Sequence, residues 1–238
     1  MAAAKKNKSE EVEIKNDSGD FTEDLIASLN KEFGTKIAYN LAHGDSPTAI
    51  KRWVSTGCKQ LDYIISNRRD GGLPEGRIIE ISGPPSTGKS HIALQVARTT
   101  QQMGGIVVYI DTENATNISK LGEMGIDIKK RFVFIETSCT EDVFSVMEST
   151  ILKAKNMSKD IPITVVWDSV AATSPKQELL GQYEDNSIGL QARVISKGMR
   201  KITGLIGNQN VTLLCLNQQR MKIGCVSPET KIIFGKLE

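Results

Sequence analysis

The chain has no excess of charge of either sign. Lys and Arg number 30 against 28 Asp and Glu, a formal net charge of +2 with charged residues at 24%. Bulk electrostatics therefore predicts no nucleic-acid partner, and any such site has to be local. There is also no CxxC pair. The four cysteines, Cys58, Cys139, Cys215 and Cys225, are far apart, and no histidine stands at a zinc-binding spacing, so no metal cluster is expected and a reduced, cytoplasmic compartment is. Long apolar runs are missing too. Stretches such as VTLLCL fall far short of the roughly 20 residues a membrane span requires, and the start AAAKKNKSEEVEIKNDSGD has no apolar export-signal core. The expectation is a soluble, unexported protein with no membrane partner. No internal repeat or low-complexity tract is visible.

What is present suits one α/β domain, for which 238 residues supply a sizeable core. Residues 1–20 are polar and nearly free of large apolar groups, so they cannot repay the entropy of ordering and read as a tail. From Phe21, the pattern FTEDLIASLNKEF places Leu25, Ile26, Leu29 and Phe33 at helical spacing, with Thr22 as a candidate cap. This short amphipathic helix has two uses open to it: packing on its own core or on a neighbouring subunit. From about Arg77, the apolar runs RIIEIS, IVVYIDTE, RFVFIETS, ITVVWDS and VTLLCLN alternate with helix-length stretches at Lys89 to Met103, Glu141 to Lys155 and Ser187 to Ile206. Runs this continuous suit parallel strands buried on both faces. The alternation predicts a mainly parallel, doubly wound sheet with ligands gathered at the carboxyl ends of its strands.

The first strand candidate runs into GPPSTGKS, which fills G-x-x-x-x-G-K-[ST] with Gly83, Pro84, Pro85, Ser86, Thr87, Gly88, Lys89 and Ser90. Glycines let backbone amides turn inward around phosphate oxygens, and the following helix adds its N-terminal dipole. Lys89 neutralises charge on the β- and γ-phosphates, and Ser90 offers a hydroxyl to Mg²⁺. ATP and Mg²⁺ are the expected ligands. Asp168, ending ITVVWDS, stands where a Walker-B acid would hold the Mg²⁺ hydration shell, with Ser169 to assist and a helix cap as the alternative. In YIDTEN, Asp111 and Glu113 lie two apart at a strand end and share one face. Glu113 is the expected general base for an attacking water.

Together these residues resemble the RecA-type homologous-recombination ATPases of bacteria and their phages. The resemblance extends to STGCKQLDYIIS, GGLPEGRIIEISGPPSTGKS, YIDTEN, VVWDSVAATSPKQEL, DNSIGLQARVISKGMRKI and LNQQRMKIG, from about Phe21 to Gly224. It implies a P-loop core with Glu113 as catalytic glutamate, Asp168 as Walker-B aspartate, and Gln218 as the sensor that relays the γ-phosphate to a DNA-binding loop. It further implies filament formation on single-stranded DNA, pairing with double-stranded DNA, and a polymerisation role for residues 21–50. GQYEDNSIG, from Gly181 to Gly189, resembles the family's first DNA loop, with Ile188 as an apolar wedge between bases. Arg193 and Arg200 on the helix that follows would contact phosphates or form an ordinary solvated face. Arg220 and Lys222 would begin the second DNA loop. Where the family places an acid and an aromatic near the adenine, this chain has Asn117 and Lys120, which leaves base preference open.

After Gly224 the resemblance changes. CVSPETKIIF is similar to the first block of an intein, in which a cysteine attacks the preceding carbonyl in an N-to-S acyl shift, and a glycine at Gly224 presents that carbonyl with little hindrance. On this reading residues 51–224 are the ATPase core without its C-terminal part, and residues 225–238 are an intein fragment with Cys225 as its nucleophile. A partner chain would carry the rest, and ATPase activity would be low until it was supplied. The alternative is a divergent loop and strand of the recombinase itself.

Overall fold

A computed structural model of the chain describes residues 18–43, 49–182, 189–221 and 231–233. It separates into two compact units, with the division after Ala49. In the first, helix α1 (Ser18–Glu32) starts earlier than the pattern predicted, so Thr22 lies within the helix and does not cap it. Of the expected stripe, Leu25 and Phe33 are exposed, while Ile26 and Leu29 are half-buried. The chain then folds back on Asn30, whose Oδ1 accepts from the amides of Ile37 and Ala38, both at 2.8 Å, while its Nδ2 donates to the Ala38 carbonyl at 3.0 Å. A 3-10 turn follows at Leu41–His43.

The second unit is built on a sheet of five parallel strands: β3 (Ile78–Gly83), β4 (Ile106–Asp111), β5 (Phe132–Glu136), β6 (Ile163–Asp168) and β7 (Val211–Met221). Their spatial order is β3-β7-β6-β4-β5. The final described strand, β8 (Lys231–Ile233), pairs antiparallel with the end of β7. All five expected strands are present, and the three central ones are buried on both faces because helices cover both sides. On one face, α5 (Thr140–Met157) and α7 (Leu190–Asn208) contribute Val143, Met147, Ile195 and Met199 against Val108, Val165, Trp167 and Leu213. Gly198 lets α7 approach closely: a Cβ there would lie 2.2 Å from the Phe144 ring. On the other face, α3 (Lys89–Gln102) and α4 (Ile118–Glu123) pack Ala93, Leu94, Ala97 and Leu121 against Val107, Tyr109, Val166 and Leu216.

Ahead of this sheet stands an element that periodicity did not reveal, a two-stranded ladder of β1 (Trp53–Val54) and β2 (Leu73–Pro74) with α2 (Lys59–Ser66) between the strands. Two buried carboxylates explain its sequence. Asp62 accepts from the Thr56 amide and hydroxyl, each at 2.7 Å, and from the Ser55 hydroxyl at 2.5 Å. Glu75 takes a two-pronged bond from Arg52 at 2.9 and 3.0 Å. Buried charge is tolerated only when satisfied in this way. A short helix, α6 (Lys176–Leu180), precedes α7.

Candidate active site

Register decides what meets at the carboxyl end of the sheet. Gly83 of β3 pairs with Gln218 of β7, Asp168 of β6 with Leu216 of β7, and Asp111 of β4 with Asp168. The phosphate-loop glycine, the glutamine and the two aspartates therefore stand along one sheet edge, although up to 135 residues separate Gly83 from Gln218 in the chain. A cavity of about 480 Å³ opens there, lined by Pro85 to Ser90 together with His91, Glu113, Lys120, Asp168, Ser169 and Gln218.

The loop itself is shaped for an anion. Ser86 and Gly88 take the left-handed conformation at φ 60° and 90°, and Gly88 caps α3 without a side chain, so the first amides of that helix are left for a ligand. A side chain at Gly83 would press on the Thr87 hydroxyl at 3.2 Å. Lys89 curls back over the loop, with Nζ donating to the carbonyls of Gly83 at 3.1 Å and Pro84 at 2.8 Å. An ammonium held by neutral carbonyls is poised to exchange them for phosphate oxygens.

Asp168 accepts at Oδ2 from the Tyr109 hydroxyl at 2.6 Å, and the Ser90 side chain lines the same cavity beside it. Burial pushes its carboxyl up from the ordinary range, opposed by the neighbouring Tyr109 and Ser90 hydroxyls and reinforced by the charges of Glu113 and Asp111. A carboxylate and a hydroxyl facing each other beside a phosphate cradle suit Mg²⁺, which is held by one or two carboxylates and substrate phosphates rather than a full protein cage. Among the described residues no group of three or more His, Cys, Asp or Glu could hold a metal ion.

Glu113 is reached from two directions. Its Oε1 accepts from Nε2 of Gln218 at 2.6 Å and from the Ser169 hydroxyl. Its backbone is set by Asp111, which accepts from the amides of Glu113 at 3.0 Å and Thr116 at 2.9 Å. Thr112 joins the two strand ends: its hydroxyl donates to the Ser169 carbonyl at 2.7 Å and accepts from the Ser169 amide at 2.8 Å. Asn217, beside Gln218, turns away from the cavity and donates to Glu80 at 2.9 Å.

The structure thus brings Lys89, Ser90, Glu113, Asp168 and Gln218 together, and adds Ser169 and Lys120 to the cavity wall. Ser169 was expected beside Asp168 as an aid to it, and its hydroxyl is found on Glu113. Asn117 accepts from the Ser119 amide at 2.9 Å and caps α4. Arg193 and Arg200 are exposed on the side of α7 opposite its buried residues Ile195, Met199 and Ile202. Lys197, exposed between them, is a basic residue that the sequence reading passed over. Ile188, Lys222, Gly224 and Cys225, the side chain of Arg220, and residues 1–17 of the expected tail lie outside the described residues.

The RecA N-terminal domain family matches residues 21–235. The chain belongs to that family. Protein RecA of Wolinella succinogenes is 38% identical over 208 residues, covering 86% of this chain and 56% of the relative. Protein RecA of Chloroherpeton thalassium is 40% identical over 207 residues, covering 86% and 55%. Protein RecA of Trichodesmium erythraeum is 36% identical over 232 residues, covering 97% and 59%. This RecA-family chain therefore spans a little over half the length of the curated relatives it matches. Among the described residues, no helix is long and apolar enough to cross a membrane.

Proposed function

We propose that the chain carries the Mg²⁺-ATP site of a RecA-type recombinase, a DNA-dependent ATPase that forms filaments on single-stranded DNA and promotes homologous pairing and strand exchange in a bacterial or phage-infected cytoplasm. The observation that carries this reading is the Gln218–Glu113 hydrogen bond. It joins the expected base to a strand that continues through Arg220 to Met221, where the second DNA loop is expected to begin. A simple phosphate-binding protein has no need of that link.

In this reading Lys89 and the amides of the loop hold the β- and γ-phosphates. Ser90 and Asp168 hold Mg²⁺, which supplies charge neutralisation on the phosphates. Glu113 takes the proton of the water that attacks the γ-phosphorus as the bond to the ADP oxygen breaks. A glutamine amide can bond either Glu113 or a phosphate oxygen. Bonding phosphate frees Glu113 as a base and shifts β7, so the ATP state is reported to the DNA loop. Arg193, Arg200, Arg220 and Lys222 contact DNA phosphates without regard to sequence, and Ile188 wedges between bases. Residues 21–50 join neighbouring subunits in the filament. A cation supplied by a neighbour is worth orders of magnitude in phosphoryl transfer, so turnover depends on assembly.

The test compares this chain, alone and joined to the C-terminal half of a curated relative, with and without single-stranded DNA. The joined protein is expected to hydrolyse ATP faster when DNA is added, and Glu113→Gln to keep nucleotide binding while losing turnover. Hydrolysis indifferent to DNA in the joined protein would defeat the recombinase reading.

A second reading concerns Cys225. The block CVSPET after Gly224 supports a splice junction at which the Cys225 thiol attacks the Gly224 carbonyl, the amide bond between them breaking as a thioester forms and the Cys225 nitrogen taking the proton as a free amine, with a partner intein fragment in trans. The family match through residue 235 and the pairing of Lys231–Ile233 on β7 favour a loop and strand of the recombinase itself. With a complementary intein fragment, hydroxylamine is expected to cut between Gly224 and Cys225, and Cys225→Ala to prevent it. An uncut chain would leave the segment to the recombinase.

A further inference from the structure

We propose that Tyr109 is a positioning residue for Asp168, its buried hydroxyl fixing the direction in which that carboxylate faces Ser90 and Mg²⁺; the inference rests on the phosphate-site reading above. Tyr109 lies in the middle of β4, paired with Phe134 of β5 on one side and Val166 of β6 on the other. Side chains two apart share a face, so Tyr109 sits diagonally behind Asp168 on the side covered by α3. The ring is 1% exposed. It is stacked against Phe132 and Phe134, with centroids 6.3 Å away in both cases and interplanar angles of 23° and 10°.

A phenylalanine would fill the same space and bury the same ring, without the cost of taking a hydroxyl out of water. The hydroxyl is justified by what it bonds. An ionised carboxylate can only accept, so the phenol must donate to Asp168 Oδ2 at 2.6 Å. That bond occupies one oxygen of the carboxylate and leaves the other for a ligand. Tyr109, Ser90 and Asp168 all line one cavity of about 240 Å³ beside the phosphate loop. Groups one bond removed from a metal ligand commonly set its orientation, and their loss weakens metal affinity by about 10–100-fold.

The experiment measures binding of a non-hydrolysable ATP analogue to the full chain across a Mg²⁺ titration. For Tyr109→Phe, the Mg²⁺ concentration at half-effect should rise roughly tenfold, with binding in EDTA unchanged. In an Asp168→Asn background the same substitution should add no further shift. Phe134→Leu, which loosens the stack without removing the hydroxyl, should shift the Mg²⁺ dependence in the same direction by less, and it keeps the proposal testable if Tyr109→Phe folds poorly. A Tyr109→Phe chain whose Mg²⁺ dependence matches the parent overturns the inference. So does one that loses nucleotide affinity equally with and without Mg²⁺, because that marks a packing role. A parent chain that binds the analogue without regard to Mg²⁺ overturns the phosphate-site reading, and this inference with it.

Discussion

The ends of β4 and β6 make an instructive pair. Each strand finishes in an aspartate, and Asp111 and Asp168 are register partners across the ladder. Their surroundings differ. Asp111 is filled by backbone amides, those of Glu113 and Thr116, and so works as the clasp of its own loop. Asp168 is met by side-chain hydroxyls, that of Tyr109 in a hydrogen bond and that of Ser90 in the same cavity wall, which leave capacity for a cation. Amide donors on a tight loop cannot give way to a ligand without unmaking the loop, whereas a hydroxyl can turn. Two identical residues at equivalent positions thereby divide into one that shapes the site and one that serves it.

Two substitutions probe that division. Asp168→Asn should have the larger effect, lowering Mg²⁺-dependent nucleotide affinity on the order of a hundredfold, with little change in binding in EDTA; calorimetric titration with and without Mg²⁺ distinguishes the two. Equal losses in both conditions would erase the contrast with Asp111. Asp111→Asn keeps one acceptor and turns an amide toward a backbone N–H, at a cost of about 2 kcal/mol. For a chain of this size that lowers Tm by about 4–8 °C, measurable by circular dichroism, and the Mg²⁺ half-effect should stay within about twofold of the parent. A large Mg²⁺ shift with no change in Tm would mean that Asp111 holds the metal and Asp168 does not.

How much of this could be read from the chain follows from range. The strands β3 to β7 and the main helices were legible because their apolar patterns are local and strong. The phosphate loop was legible because its chemistry is confined to eight consecutive residues. The β1–β2 ladder and α2 were not, because two-residue strands carry no periodicity and their stability comes from Asp62 and Glu75 bonding residues elsewhere. The start of α1 was misplaced for a related reason: a polar first turn gives no apolar signal.

By itself the sequence determined the class of the fold, the phosphate cradle and the short set of carboxylates able to act beside it, since each depends on neighbours a few residues away. Only the tertiary structure decided which of those groups meet. Gln218 reaches Glu113 because β7 was inserted between β3 and β6, and Tyr109 reaches Asp168 because parallel register sets them on one diagonal. Strand order and register are properties of long-range pairing, which no local pattern encodes.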